Sequence, residues 1–103
     1  MSVTVEEVDK IWREADCIWT EHQIERAIET VSQQIEADLA HKNPLVLVVM
    51  KGGLMFGARL LMRLRFALEM DYIHVTRYGM ETSGNELLWK VLPQHPLEGR
   101  HVL

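Results

Sequence analysis

The chain has 103 residues, 48% of them hydrophobic, with 15 acidic against 11 basic side chains and a formal net charge of −4. That length suits one small domain or part of a larger one, and the acidic balance argues against nucleic acid, whose binding rests on Lys and Arg neutralising phosphates. A lone cysteine, Cys17, excludes an internal disulfide, and the longest strongly apolar run, Leu45–Met50, falls far short of the ~20 residues a membrane helix needs.

The N-terminus lacks the basic start and apolar stretch of a secretory signal, so the expectation is a soluble, cytoplasmic chain with no membrane partner. Thr4 and Glu7 have capping-box spacing, and Val5, Val8, Trp12 and Ala15 recur at helical period, predicting a helix over 4–15. Cys17-Ile18-Trp19 breaks the pattern as a connector. Thr20 and Gln23 repeat the capping signature before a longer helix. Its apolar stripe is Ile24, Ala27, Ile28, Val31, Ile35 and Leu39, with Glu25, Arg26, Glu29, Gln33 and Glu36 outward. His41 and Lys42 place positive charge near its end, and Pro44 stops it.

Leu45 to Met50 is a continuous apolar run too short for a buried helix, so it reads as a strand covered on both faces. Lys51-Gly52-Gly53 interrupts it, and Leu54 to Leu68 returns to helical spacing at Met55, Ala58, Leu61, Met62 and Arg65. Strand, glycine turn, helix opens a βαβ unit. Tyr72 to Thr76 reads as a second strand, 77–86 as a polar, glycine-containing loop, and Leu87 to Leu92 as a further short strand. After a turn at 93–96, His101-Val102-Leu103 reads as a strand just beginning, and the domain as incomplete.

The strongest chemical feature is Val48-Val49-Met50-Lys51-Gly52-Gly53-Leu54. Two glycines let a ligand approach the backbone, successive amides opening onto a helix N-terminus attract an anion, and Lys51 adds a full positive charge. The same residues equally suit a strand-to-helix turn that needs glycine for its geometry, with Lys51 merely solvated. The motif is neither a Walker A loop nor a dinucleotide fingerprint.

The stretch V-V-M-K-G-G-L-M-F, preceded by a long helix and followed by a helix and a D-Y-I strand, resembles the hypoxanthine-guanine phosphoribosyltransferases of the type I phosphoribosyltransferase family. Arg77-Tyr78-Gly79-Met80-Glu81-Thr82-Ser83-Gly84 resembles their mobile active-site loop. Leu97 to Leu103 resembles the lead-in to their ribose-phosphate loop.

The resemblance implies the N-terminal part of an α/β fold, a Rossmann-like parallel sheet flanked by helices, truncated before the ribose-phosphate loop. N-terminal helices would occupy 4–43, a βα unit with the pyrophosphate loop 45–68, strand, mobile loop and strand 72–92, and the start of the next strand 100–103. It implies purine salvage: transfer of 5-phosphoribosyl from phosphoribosyl pyrophosphate to N9 of hypoxanthine or guanine, releasing pyrophosphate. Met50, Lys51, Gly52 and Gly53 would contact the pyrophosphate, with a cis peptide before Lys51. Arg77, Tyr78 and Gly79 would belong to the closing loop, Arg77 standing where the family carries serine.

Mg²⁺ is implied as a cofactor, held mainly through the substrate's pyrophosphate, as is a homo-oligomer, dimer or tetramer. The catalytic aspartate would lie beyond Leu103, so the chain alone is expected to be inactive. The alternative from a different class is a non-catalytic phosphate-binding or interaction module derived from this fold.

The remaining signals favour structural roles. Arg59 and Arg63, one helical turn apart, suit a solvated or subunit-facing surface able to reach an acidic partner. Five histidines lack zinc-site spacing, Trp12, Trp19 and Trp89 suit core or interface positions, and Cys17 has no paired histidine to make it a nucleophile.

Overall fold

The computed structural model describes residues 2–78 and 86–103. Two capped helices open the chain: α1 (Val5–Glu14) and α2 (Glu21–Leu39). Both capping boxes form. Thr4 Oγ1 accepts from the Glu7 amide at 3.1 Å and Thr20 Oγ1 from the Gln23 amide at 3.2 Å, while the Glu7 and Gln23 side chains accept from the cap amides. Each box satisfies donors that a helix start otherwise leaves unpaired. Asn43, with φ 43, takes the left-handed conformation that Asn tolerates and turns the chain into the buried Pro44.

Strand β1 (Leu45–Met50), helix α3 (Leu54–Leu61) and strand β2 (Glu69–Tyr78) form a right-twisting unit in which β1 and β2 pair in parallel from Leu45↔Glu69 to Met50↔His74. Strand β3 (Glu86–Val91) pairs antiparallel with β2. On the far side of β1, residues 101–103 begin a further parallel strand. The Leu45 amide donates to the His101 carbonyl at 2.8 Å, and the Leu103 amide to the Leu45 carbonyl at 2.9 Å. The expected parallel pairing is present on both sides of β1, and β3 joins antiparallel at one edge, so the sheet is mixed.

The core lies on one face of this sheet. Ile28 of α2, Leu60 of α3 and Leu64 are buried together, flanked by Ile35, Leu61, Phe66 and Leu68. Val48 of β1 meets α3 at Gly57, where a Cβ would come within 3.0 Å of a Val48 methyl. Leu45 is 0% exposed at the start of β1. Burying a side chain of this kind contributes about 1.5–3 kcal/mol, so these few residues carry much of the fold.

An ion-pair network ties α2 to α3. Arg59 and Arg63 both reach Glu25, with Arg59 Nη2 at 2.6 Å, and Arg59 also pairs with Glu21. The Arg63 and Arg59 guanidiniums hold the Glu25 carboxyl below its ordinary pKa. The two arginines thus meet acidic partners inside the chain, and Glu25, expected to face solvent, is half-buried against α3.

Three element boundaries differ from the sequence reading. Helix α3 ends at Leu61, seven residues early, because the Arg63 and Leu64 amides switch to i→i+3 bonds that turn Leu64 into the core. Its covered face is Gly57 and Leu60, continued past its end by Leu64, while Met55 and Met62 stand 78% and 79% exposed. Strand β2 starts at Glu69 and runs through Tyr78, taking Arg77 and Tyr78 out of the expected loop. Pairing with Leu87 and Glu86 holds them in extended conformation despite the polar sequence. Along α2, Ile24 and Val31 of the apolar stripe are exposed, and α1 buries none of its residues. No helix among the described residues is long and apolar enough to cross a membrane.

Candidate functional site at the end of strand β1

The C-terminal edge of β1 gathers the chemistry. Six apolar residues carry the chain to Met50, the Met50–Lys51 peptide is cis, and Lys51-Gly52-Gly53 then turns directly into α3. Gly53 is the helix N-cap, with no side chain capping the first turn. Its amide donates to the Val49 carbonyl at 2.7 Å, and a Cβ built on it would lie 2.7 Å from that same oxygen, so only glycine fits. Gly52 is different. It is exposed, and a Cβ there would meet nothing within 4 Å.

The amides of the turn divide accordingly. Gly53 is satisfied within the chain, and Leu54 donates to the Lys51 carbonyl at 3.1 Å. Among the described residues, the Lys51 and Gly52 amides donate to no backbone or side-chain acceptor. Two amides without an acceptor, a helix N-terminus without a side-chain cap and the exposed Lys51 thus follow one another in the turn after β1. Free amides and a helix dipole make such a turn favourable for an anion, and the formal charge strengthens it.

Strand β2 continues beyond the last β1 pair, Met50↔His74, by four residues. At about 3.3 Å per residue, Arg77 stands some 10 Å past the level of Met50, on an antiparallel arm with β3 that overhangs the same end of the sheet. A register shift at His74/Val75 marks the root of this arm, where a bulge bends and twists a strand pair. Arg77 is exposed, and its side chain forms no ion pair among the described residues. Met50, Lys51, Gly52 and Gly53 are thus contiguous at the edge. Arg77 and the Tyr78 backbone lie on the arm above it, and Gly79 falls outside the described residues.

The sequence reading missed the opposite end of the sheet. Asp71, 4% exposed, accepts from the backbone amides of Tyr72 at 2.8 Å, Gln94 at 2.6 Å and His95 at 2.9 Å, and its Oδ2 lies 3.0 Å from His95 Nδ1. The His95 ring and then these amides hold the Asp71 carboxyl far below its ordinary range, against the opposing effect of burial. Glu69 stands 3.4 Å from His95 Nε2 and 3.1 Å from Arg100 Nη1, and Arg100 Nη2 donates to the Asn43 carbonyl at 3.0 Å. The cluster fastens residues 94–100 to the N-terminal ends of β1 and β2. A charged residue inside an otherwise apolar strand, as in Met70-Asp71-Tyr72, was the available signal.

No protein-family model matches the chain. Among curated proteins it is 33% identical over 87 residues to the hypoxanthine-guanine-xanthine phosphoribosyltransferase of Tritrichomonas foetus, covering 84% of this chain and 47% of that protein. It is 33% identical over 88 residues to the hypoxanthine-guanine phosphoribosyltransferase of Streptococcus thermophilus, covering 84% and 48%. Among solved structures, a hypoxanthine phosphoribosyltransferase from Staphylococcus aureus superposes with a TM-score of 0.77 at 27% identity, covering 84% of this chain and 48% of its own. The Trypanosoma cruzi enzyme, solved in complex with its product IMP, superposes with a TM-score of 0.70 at 35% identity, covering 82% and 50%. The likeness thus spans most of this chain and about half the length of the proteins it matches. On sequence and fold together, the chain is similar to hypoxanthine-guanine phosphoribosyltransferases along about half of their length.

Proposed function

We propose that the chain supplies the pyrophosphate-binding edge and the overhanging arm of a purine-salvage phosphoribosyltransferase. The parent reaction transfers a 5-phosphoribosyl group from phosphoribosyl pyrophosphate to hypoxanthine or guanine, giving IMP or GMP and pyrophosphate. One observation carries the reading: the Lys51 and Gly52 amides have no acceptor among the described residues and stand, with the exposed Lys51, in the turn at the C-terminal end of β1.

The C1–pyrophosphate bond breaks as N9 of the purine attacks, and negative charge grows on the departing diphosphate. Donors already fixed in the turn stabilise that charge without reorganising, which favours the transition state over the ground state. Lys51 adds a charge-assisted bond to the same oxygens. The arm bearing Arg77 and Tyr78 covers the edge and excludes water, which would otherwise intercept the ribosyl centre.

The turn itself offers donors and a cation, and no cluster of three His, Cys, Asp or Glu occurs among the described residues. These residues do not make a magnesium site. Mg²⁺ would enter bound to the substrate diphosphate, the usual arrangement for this ion. The base-reading and catalytic groups would come from the half of the family fold that this chain does not span, with assembly into a homo-oligomer.

Titrating Mg²⁺-pyrophosphate into the chain while following backbone amide shifts tests the reading. The Lys51 and Gly52 amides are expected to move most, and Lys51→Ala to weaken binding roughly tenfold or more, the scale of a hydrogen bond to a charged group. Unmoved amides at 51 and 52, or equal binding by Lys51→Ala, would remove the basis of the assignment. Activity is a separate measurement. Nucleotide formation from phosphoribosyl pyrophosphate and hypoxanthine is expected only when the other half of the fold is added, and turnover by the 103-residue chain alone would refute this division of labour.

A further inference from the structure

The turn at 51–53 is one body with helix α3. The Leu54 amide donates to the Lys51 carbonyl at 3.1 Å and the Gly57 amide to the Gly53 carbonyl at 2.7 Å, so the Lys51 and Gly52 amides are held between the end of β1 and the first turn of α3. Helix α3 is only 8 residues long, and no side chain caps its start. Its apolar hold is narrow. Leu60 packs with Ile28 of α2, and Gly57 lies against the Val48 methyls of β1. Packed elements interlock through side-chain ridges. A glycine at the closest approach offers none, so this contact resists rotation and tilt of α3 only weakly.

The polar flank of α3 supplies what the apolar face lacks. Arg59 and Arg63 stand one turn apart, and both reach Glu25 of α2, one on each carboxylate oxygen. Arg59 Nη2 donates to Oε2 at 2.6 Å and Arg63 Nε to Oε1 at 3.2 Å, with a second bond to Oε1 from Arg63 Nη2. Glu21, one turn earlier on α2, pairs with Arg59 as well. Two attachment points along the axis of one short helix fix both its rotation and its tilt. Hydrogen bonds from Arg63 and then Arg59 hold the Glu25 carboxyl below its ordinary pKa, and the bond to Glu25 raises Arg59 above its own. The three side chains are 34–44% exposed. Ion pairs this open to solvent add little to stability, so their effect falls on geometry.

We propose that Glu25 is a positioning residue for the anion turn: acting through Arg59 and Arg63, it sets the orientation of α3 on α2 and with it the direction in which the Lys51 and Gly52 amides point. The inference rests on the reading of that turn as the diphosphate site, and it adds a residue that touches no ligand. Charge alone predicts the opposite of positioning. Removing a carboxylate from the chain lessens its repulsion of an anion and strengthens binding, whereas loosening the donors that hold the anion weakens it.

Titration of Mg²⁺-pyrophosphate into Glu25→Gln, with urea unfolding of the same sample, tests it. Affinity at the Lys51 and Gly52 amides is expected to fall roughly threefold to tenfold, because donors once held in place must be ordered on binding. The urea midpoint should barely move. Glu29→Gln removes the same charge one turn further along α2, at an exposed residue with no ion pair among the described residues. It should leave affinity unchanged or slightly higher. Glu25→Asp keeps the carboxylate and should recover part of the loss. Ligand-free N–H dipolar couplings of residues 54–61, referred to those of β1, report the orientation of α3 directly. They should change in Glu25→Gln and not in Glu29→Gln. Unchanged or tighter binding by Glu25→Gln overturns the proposal, as does an equal loss of affinity in Glu29→Gln. If the unaltered chain binds no pyrophosphate at 51 and 52, the reading of the site fails. The couplings then decide the role of Glu25 alone, and couplings that stay the same in Glu25→Gln overturn it.

Discussion

Gly52 and Gly53 are neighbours of the same type, yet a methyl group would act differently at each. At Gly53 a Cβ would press against the Val49 carbonyl oxygen at 2.7 Å, a backbone atom that cannot rotate away. Gly53→Ala is expected to destabilise the chain by about 1–3 kcal/mol, the usual cost of forcing extra volume into a packed position. At Gly52 the same methyl meets open space. Gly52→Ala should therefore leave stability within about 0.5 kcal/mol of the unaltered chain, as exposed substitutions usually do. If the anion sits against this turn, the methyl crowds it and pyrophosphate binding should fall. Urea unfolding and pyrophosphate titration of both variants separate the two effects. Loss of stability without loss of binding at Gly52 would mean that the open space is not where the anion sits.

Between elements, the buried Asp71 fastens the 94–100 connection beneath β1 and β2. Its folded-state pKa lies below the ordinary value of 3.8, because the His95 ring and three backbone amides favour the carboxylate. A depressed carboxyl pKa stabilises the folded state at any pH above the unfolded value. That contribution declines as pH falls below about 4, once the unfolded chain binds the proton more readily than the folded one. The urea midpoint of the chain should accordingly fall with acidification below pH 4 more steeply than that of Asp71→Asn, which starts lower at neutral pH. Parallel curves for the two would show that Asp71 does not carry this linkage.

How far these elements were readable before folding depends on how local their causes are. Thr4, Glu7, Thr20 and Gln23 act within one helical turn, so both N-termini were legible, and the unbroken Leu45–Met50 run announced a strand, although Val49, expected to be covered, is 51% exposed. The K-G-G turn was legible as a candidate anion site, though not which of its amides stays free. That division depends on Val49 folding back onto Gly53. What escaped is what tertiary pairing decides. Arg77 and Tyr78 look like loop until Leu87 and Glu86 pair with them, and the early end of α3 follows from Leu64 turning into the core. Asp71 is far in sequence from Gln94, His95 and Arg100, and only the topology brings it to them.

For the molecule as a whole, size and surface disagree with a closed domain. The Cα radius of gyration is 17.5 Å, against about 13 Å for a compact chain of this length. The accessible surface is 8658 Å², well above the roughly 6,000 Å² of a compact monomer of this size. The excess comes from elements that stand off the core: α1, which buries no residue, and the β2–β3 arm. Apolar surface is exposed with them. A groove of about 330 Å³ between α2 and Phe56 is lined by Trp19, Ile24, Ala27 and Val31, and Met55 and Met62 are exposed on and just after α3. Contiguous apolar surface of this kind binds hydrophobic dyes and other protein surfaces. Anilinonaphthalene sulfonate fluorescence should therefore rise strongly with the dilute chain, and small-angle scattering of the same sample should return a radius near 17.5 Å. Adding the other half of the family fold should suppress the dye signal as the groove is covered. A dye-silent particle with a radius near 13 Å would mean that α1 and the arm close onto the core in solution, and that the exposed groove is not available to any partner.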